Sequence, residues 1–540
     1  MNDSSGFREL SKEIYLKILE FFPDKASYLG LHEYDGRIPD ISEESINEIL
    51  SVYSGYLDRL NKIEKSMLST EESLEYDLCE WHLNTEIFMI TQIAAHRYNP
   101  MIYAFMFGQI HGYISRNYAP FEERFRSVIS VIDRVPAILR EASLLLNERL
   151  PSILCEKAAA FFEGYIESFT SELPKLMSEM NVSEELSTTF REKRDIAIKS
   201  IHEFIELIDS RSDPECKDYV LGKDRFMNML KVTDHVEIPF EELKKLGNVE
   251  LRRLHDRIKQ LESLHKVEGG IYKIEHEHPS AESLVSDTAS TLQELVDFIR
   301  AKDIVDLPEK LNCIVAEMPE YMKFGFAAMD TAGPYEKSDE SFYYVSLPEK
   351  DWPEEKIEEW MTQFNYPTLK LISIHEAFPG HYTHFLNAYR NPSDLSKMLI
   401  SYAYVEGWAH YTEEMMIELG YGGSDYKTEI GMLLEALIRC CRYIVAIGIH
   451  CEGMSIDEAK KFFVENAFMA EATAEEEAKR GAFDPGYLSY TLGKILLKDL
   501  KRRYFEKFGD QRTLKDFHNS VVKLGAPSFR IAERIILNEN

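Results

Sequence analysis

Residues 374–384 read IHEAFPGHYTH, and this stretch decides how the rest of the chain is read. It places His375, Glu376, His381 and His384 within ten positions, a density of metal ligands and acid/base groups that a structural helix does not need. Twenty-five residues past His381 comes VEGWAHYTEE, whose Glu406 can reach back as a third ligand. Together the two segments predict a mononuclear zinc hydrolase site, with His375, His381 and Glu406 as ligands and one position left open for water.

The spacing is unusual. Two histidines at i and i+4 share a helix face, but here the second follows at i+6. Six residues of unbroken helix turn through roughly 600°, which leaves His381 about 120° away from the direction of His375. Between them stands Pro379-Gly380. Proline cannot donate to the carbonyl of His375 and its ring crowds that turn, while glycine tolerates the backbone that must bulge. A looped-out turn between two helices is therefore expected, carrying His381 round toward His375. His384, three residues further on, is the competing ligand; it ranks below His381 because it could as easily orient another ligand from behind.

In the second segment Glu406, His410 and Glu413 fall on one helical face. Glu406 is the expected ligand and His410 a group that orients one, whereas Glu413 and Glu414 are expected to face solvent and Trp408 the core. Glu376 is the expected general base, taking a proton from the attacking water and passing it to a leaving amine. The oxyanion needs a further donor. Tyr487 and Tyr490 in DPGYLSYTLGK and His450 in AIGIHCEG are candidates, and each reads equally well as a buried aromatic or core histidine.

Outward from this site the texture is mainly helical. Apolar side chains recur at helical spacing from residue 7 to about 210, in long segments such as 72–93 and 120–145, and Pro120 and Pro136 suit helix starts better than interiors. Ser42 stands where it can cap the helix that begins at Glu43. Residues 243–265, rich in Lys, Arg and Glu, read as a helix with a solvated face, and EHEHP at 275–279 as an exposed loop whose His276 and His278 are not ligands. After residue 300 come a short apolar run at 311–318, a turn at 331–334 and SFYYVSLP at 341–348, which alternates as a strand does. A small β-sheet therefore precedes the histidine segment. Residues 342–347 are the candidate edge strand for pairing with substrate, with Phe342 and Tyr343 as contacts; a hairpin that merely caps the site is the other reading. A chain of 540 residues is expected to hold two or more subdomains around a cleft, here 1–300 and 301–540 with zinc-site helices and sheet in the second.

The formal charge of −31 argues against nucleic acid and anionic membrane surfaces as partners. Seven cysteines, with no CxxC pair, read as reduced thiols. No apolar run approaches the ~20 residues needed to span a bilayer. The first residues, MNDSSGFRELSKEIYLKILEFF, lack a charged-then-apolar signal, so a cytoplasmic, unexported protein is expected.

With these motifs the chain resembles the domain of unknown function 885 family, whose members carry a His-Glu-x-x-Pro-Gly-His segment followed by Glu-Gly-Trp-Ala. The resemblance runs over nearly the whole chain, through ASYLGLHEYDGRIPDIS, SRNYAPFEERFRSVI, the two site segments, RYIVAIGIH and DPGYLSYTLGK to DFHNSVVKLGAPS. It implies a mainly α, multi-helix, gluzincin-like metallopeptidase fold with the site in a deep cleft. His375, His381 and Glu406 would be ligands and Glu376 the base. Tyr490 would line the site and stabilise the oxyanion, with Arg442 and His450 as further cleft residues. At His384 members often carry an uncharged polar residue such as glutamine.

The leading expectation is a zinc peptidase for short peptides, with one zinc ion per chain. A non-catalytic helical binding protein with a structural or vestigial metal site is the alternative, favoured if His384 closes the site as a fourth ligand. A di-iron carboxylate bundle needs two Glu-x-x-His pairs on core helices. The only such pairs, Glu262/His265 and Glu275/His278, flank a Gly-Gly loop, which discounts it.

Overall fold

The computed structural model describes residues 4–266, 277–319, 326–349, 352–423 and 425–538, which are mainly helical with two small sheets. Gly269, Gly270, Glu275 and His276 lie outside these residues. Two compact units emerge: residues 1–221 with 332–340, and residues 222–331 with 341–540. The change of texture near residue 300 falls inside the second unit, between the helix Leu284–Lys302 and the strand Cys313–Glu317.

The first unit is built on the helices Phe121–Leu145 and Glu184–Arg211. Phe125, Val128, Ile132, Val135 and Leu139 repeat at three or four residues and are buried, as are Phe190, Ile201 and Phe204 opposite them. The Phe125 and Phe190 rings meet at 5.5 Å. Pro120 caps the first of these helices as expected, but Pro136 lies inside it rather than at a start. An interior proline costs about 3 kcal/mol. Burial of Val135, Ile138 and Leu139, at roughly 1.5–3 kcal/mol each, outweighs that, so the helix runs through. Ser42 caps Glu43–Leu60 through the N–H of Ser45.

Residues 332–340 pack on the Gly30 segment of this unit. Tyr335 N–H donates to Leu29 O at 2.9 Å, and His32 Nε2 lies 3.0 Å from Glu336 Oε1. A Cβ on Gly333 would stand 2.4 Å from Tyr28 O, so only glycine fits.

The second unit holds the site. Its sheet comprises β1 (Cys313–Glu317), β2 (Ala327–Asp330) and β3 (Ser341–Val345), in the order β1-β3-β2. β1 runs parallel to β3, with Cys313 opposite Ser341, and β2 antiparallel, with Ala327 opposite Val345. The expected edge strand is therefore the central one. Both rows of hydrogen-bonding groups on β3 are spent inside the sheet, and the free edges belong to β1 and β2.

Behind the sheet stand α1 (Tyr366–Glu376), α2 (His381–Ala388), α3 (Tyr402–Glu418), α4 (Tyr426–Ile447), α5 (Glu471–Phe483) and α6 (Ser489–Phe508). Tyr343 of β3 reaches α1, its hydroxyl 3.3 Å from Ser373 Oγ. α3 and α6 cross where Gly407 meets Gly493. A Cβ on Gly407 would lie 2.5 Å from Gly493 Cα, and one on Gly493 1.9 Å from Ala403 O. The backbones touch there, fixing Glu406 next to the crossing.

Candidate metal centre

α1 starts at Asn365, whose side chain accepts from Thr368 N–H, and ends at Glu376. The next four residues loop out. Gly380 N–H reaches back to Ile374 O at 2.9 Å, and α2 begins at His381. A Cβ on Gly380 would sit 1.8 Å from His375 O, so the return is open to glycine alone. This turn brings the imidazoles of His375 and His381 to 4.8 Å, perpendicular to one another.

Glu406 Oε2 on α3 lies 3.3 Å from His375 Nε2 and 3.5 Å from His381 Nε2. Two donors of a tetrahedral zinc ion, each bound at ~2.1 Å, stand about 3.4 Å apart. The donor set thus has the chemistry and spacing that zinc requires. Glu406 Oε2 is buried without a hydrogen bond of good geometry, as is Nδ1 of His381. Burial pushes the Glu406 carboxyl up, but the two imidazoles hold it far below the usual range. Burial and the Arg439 charge push His375 down, yet hydrogen bonds to Glu406 and Glu413 prevail and raise it to about 9. A cation at this point takes the place of those protons.

Around the three donors is a buried frame. Glu413 Oε1 accepts from His375 Nδ1 at 2.7 Å, which leaves the Nε2 lone pair facing Glu406. Glu413 Oε2 lies 3.1 Å from His410 Nδ1, and Arg439 Nη2 lies 3.2 Å from Glu413 Oε1. Arg439 is anchored in turn on Glu435 at 2.8 Å. Glu413 is therefore not solvent-facing but wholly buried, and Glu414 nearly so, paired with Arg253, Lys494 and Lys498. The reason is that α3 is buried on every side, as Tyr404, Trp408, Tyr411 and Met415 show. Glu413 follows Glu406 by seven residues, two helical turns, and that spacing was the available signal.

Glu376 points toward the sheet, its Oε2 accepting from Met329 N–H of β2 at 3.1 Å. Tyr490 stacks near His375, with ring centroids 6.2 Å apart, and its hydroxyl oxygen accepts from Arg480 Nη2 at 3.4 Å. Arg442 lies over the Tyr490 ring at 5.1 Å while gripping Glu477 with two hydrogen bonds of 2.6 and 2.7 Å. The other candidates lie in packing roles. Tyr487 is fully buried against Gly481, and His450 is fully buried, bonded to Gly481 O at 2.8 Å and stacked on Phe226. Tyr343 is buried against α1, and Phe342 stacks on Tyr344 at 5.6 Å. His384 turns away from the cluster, its Nε2 bonded to Gly525 O at 2.8 Å. Burial holds its pKa down at about 4, so it is a neutral core histidine. Arg439 and the Met329 N–H were not anticipated from the sequence, since one sits on a distant helix and the other belongs to the main chain.

Fold and site define a mainly helical protein carrying a buried two-histidine, one-glutamate cluster beside a small mixed sheet. The chain belongs to the family described as "Bacterial protein of unknown function (DUF885)", whose profile matches residues 23–536. No curated protein matches it. Two solved structures share the fold. One, described as a "putative lipoprotein of unknown function" from Shewanella oneidensis, is 25% identical with a TM-score of 0.81, over 98% of this chain and 100% of that one. The other, a "putative lipoprotein" from Colwellia psychrerythraea, is 17% identical with a TM-score of 0.81, over 99% of each chain. These descriptions overturn the cytoplasmic placement expected from the sequence, because chains of matching length and fold are described as lipoproteins. Among the described residues no helix is long and apolar enough to cross a membrane.

Proposed function

We propose that the protein is a zinc-dependent hydrolase, a metallopeptidase acting on short peptides. The observation that carries this reading is the convergence of His375 Nε2, His381 Nε2 and Glu406 Oε2 with Glu376 adjoining them. When bound there, zinc supplies Lewis acidity toward water and carbonyl oxygen. Glu413 fixes the His375 tautomer so that Nε2 faces the ion. Glu376 takes the proton of the attacking water and delivers it to the leaving amine. Arg480 donates to the Tyr490 oxygen, so the Tyr490 hydroxyl proton is free to meet the developing oxyanion. A gluzincin-like architecture with the site in a deep cleft would admit short peptides and exclude folded proteins. Work at the cell envelope is supported by the two similar chains described as putative lipoproteins.

A structural or vestigial metal site finds less support, because His384, its fourth ligand, is spent on Gly525. The test is metal analysis joined to digestion of a mixed peptide library. Purified protein is expected to hold one zinc per chain, and Glu376→Gln to keep it while peptide cleavage falls by roughly 10²–10⁴. Wild-type cleavage in that variant would sink the mechanism, and a wild type without metal or cleavage would sink the function.

A further inference from the structure

We propose that the main-chain N–H of Met329 positions the Glu376 carboxylate, so that β2 acts on the base through its backbone rather than through a side chain. This rests on the peptidase reading and adds to it. The argument is one of register. Ser346 N–H donates to Phe326 O at 2.9 Å across the β2–β3 ladder. Antiparallel pairs alternate, so Ala328/Tyr344 and Asp330/Phe342 are the hydrogen-bonded pairs of this register. The N–H and C=O groups of Ala327 and Met329 therefore leave the sheet at its free edge. At that edge Met329 N–H meets Glu376 Oε2 at 3.1 Å, the only hydrogen bond to this carboxylate among the described residues.

Glu376 needs such a partner. It is the last residue of α1, where the helix stops and the chain loops out toward His381. A flexible side chain at a helix end samples many rotamers unless something holds it. A donor fixed by a strand ladder holds one carboxylate oxygen and leaves the other for proton transfer. The bond comes from the main chain, so the identity of residue 329 carries no trace of it.

The test replaces the Met329 amide by an ester in the full-length zinc-loaded protein, by incorporating the α-hydroxy analogue of methionine. This removes the N–H while leaving the side chain in place. The same replacement at Ala327, whose N–H also leaves the edge, is the control for sheet damage. The readouts are kcat, KM, zinc per chain and the thermal midpoint. The 329 ester is expected to lose ten- to a hundred-fold in kcat with KM, zinc and midpoint as in wild type, and the 327 ester to keep all four. Wild-type kcat in the 329 ester, an equal loss in the 327 ester, a rise in KM at constant kcat, or loss of zinc would each overturn the assignment. If wild type cleaves peptides and Glu376→Gln does not, a fully active 329 ester removes this inference alone. If wild type cleaves nothing, the peptidase reading falls and this inference with it.

Discussion

Adding a single methyl group at Gly407 tests whether the α3–α6 crossing holds the cluster. A Cβ there would stand 2.5 Å from both Cα and C of Gly493. Carbon atoms pack at about 3.5–4.0 Å, so the two helices must part locally by about 1 Å. Overpacking of this kind costs roughly 1–3 kcal/mol. Glu406 is the neighbouring residue, and metal ligands tolerate displacements of only about 0.2 Å. Gly407→Ala is therefore expected to destabilise the protein by roughly 1–3 kcal/mol in urea denaturation and to weaken zinc binding by at least tenfold in competition with a chromogenic chelator. The sign makes the result decisive, because glycine to alanine in a helix interior ordinarily stabilises by about 0.5–1 kcal/mol. Gly55 in Glu43–Leu60 and Gly164 in Ser152–Glu167 meet nothing within 4 Å and supply that baseline. A Gly407→Ala protein as stable as Gly55→Ala, with unchanged zinc affinity, would refute the account of the crossing.

Glu413→Gln should cut zinc affinity by ten- to a hundred-fold and lower stability, since it frees the His375 ring and leaves buried Arg439 short of a countercharge; equilibrium dialysis and denaturant melts read both, and unchanged values would remove Glu413 from the frame. His32 is pushed down by burial but lifted to about 9 by Asp35 and Glu336, so its ion pairs stabilise the folded chain fully below pH 6.5 and are lost as pH rises through 9. The stability gap between wild type and His32→Gln, roughly 1–2 kcal/mol after screening of the partly exposed ring, is expected at pH 6 and should close above pH 9. An equal gap at both pH values would contradict that coupling.

The ligand set and its turn were legible because the demands are local. Pro379-Gly380 between two histidines announces a break, and the Gly380 contact with His375 O shows why no other residue serves. Strand order was not legible. SFYYVSLP reads the same at an edge or in the centre, and only its partners on both sides decide. Glu413 and Glu414 misled because charged residues on a helix ordinarily mark a wet face, whereas α3 has none and neutralises them with Arg439, Arg253, Lys494 and Lys498. Pro136 misled in the same way, since propensity yielded to burial of the stripe around it. Placement in the cell depended on the first residues alone, and the similar chains overturned it.

The packing of residues 332–340 on the Gly30 segment sets a timetable for synthesis. The first unit's main stretch is complete at Leu221, yet its last piece ends at Glu340, 340 − 221 = 119 residues later. At roughly 5–20 residues per second the ribosome needs about 6–24 seconds to supply it. Throughout that interval Leu29 O lacks the N–H of Tyr335 and His32 lacks Glu336. The nascent chain therefore waits with an unfinished seam near its start, a window in which a chaperone that recognises this segment would find it open.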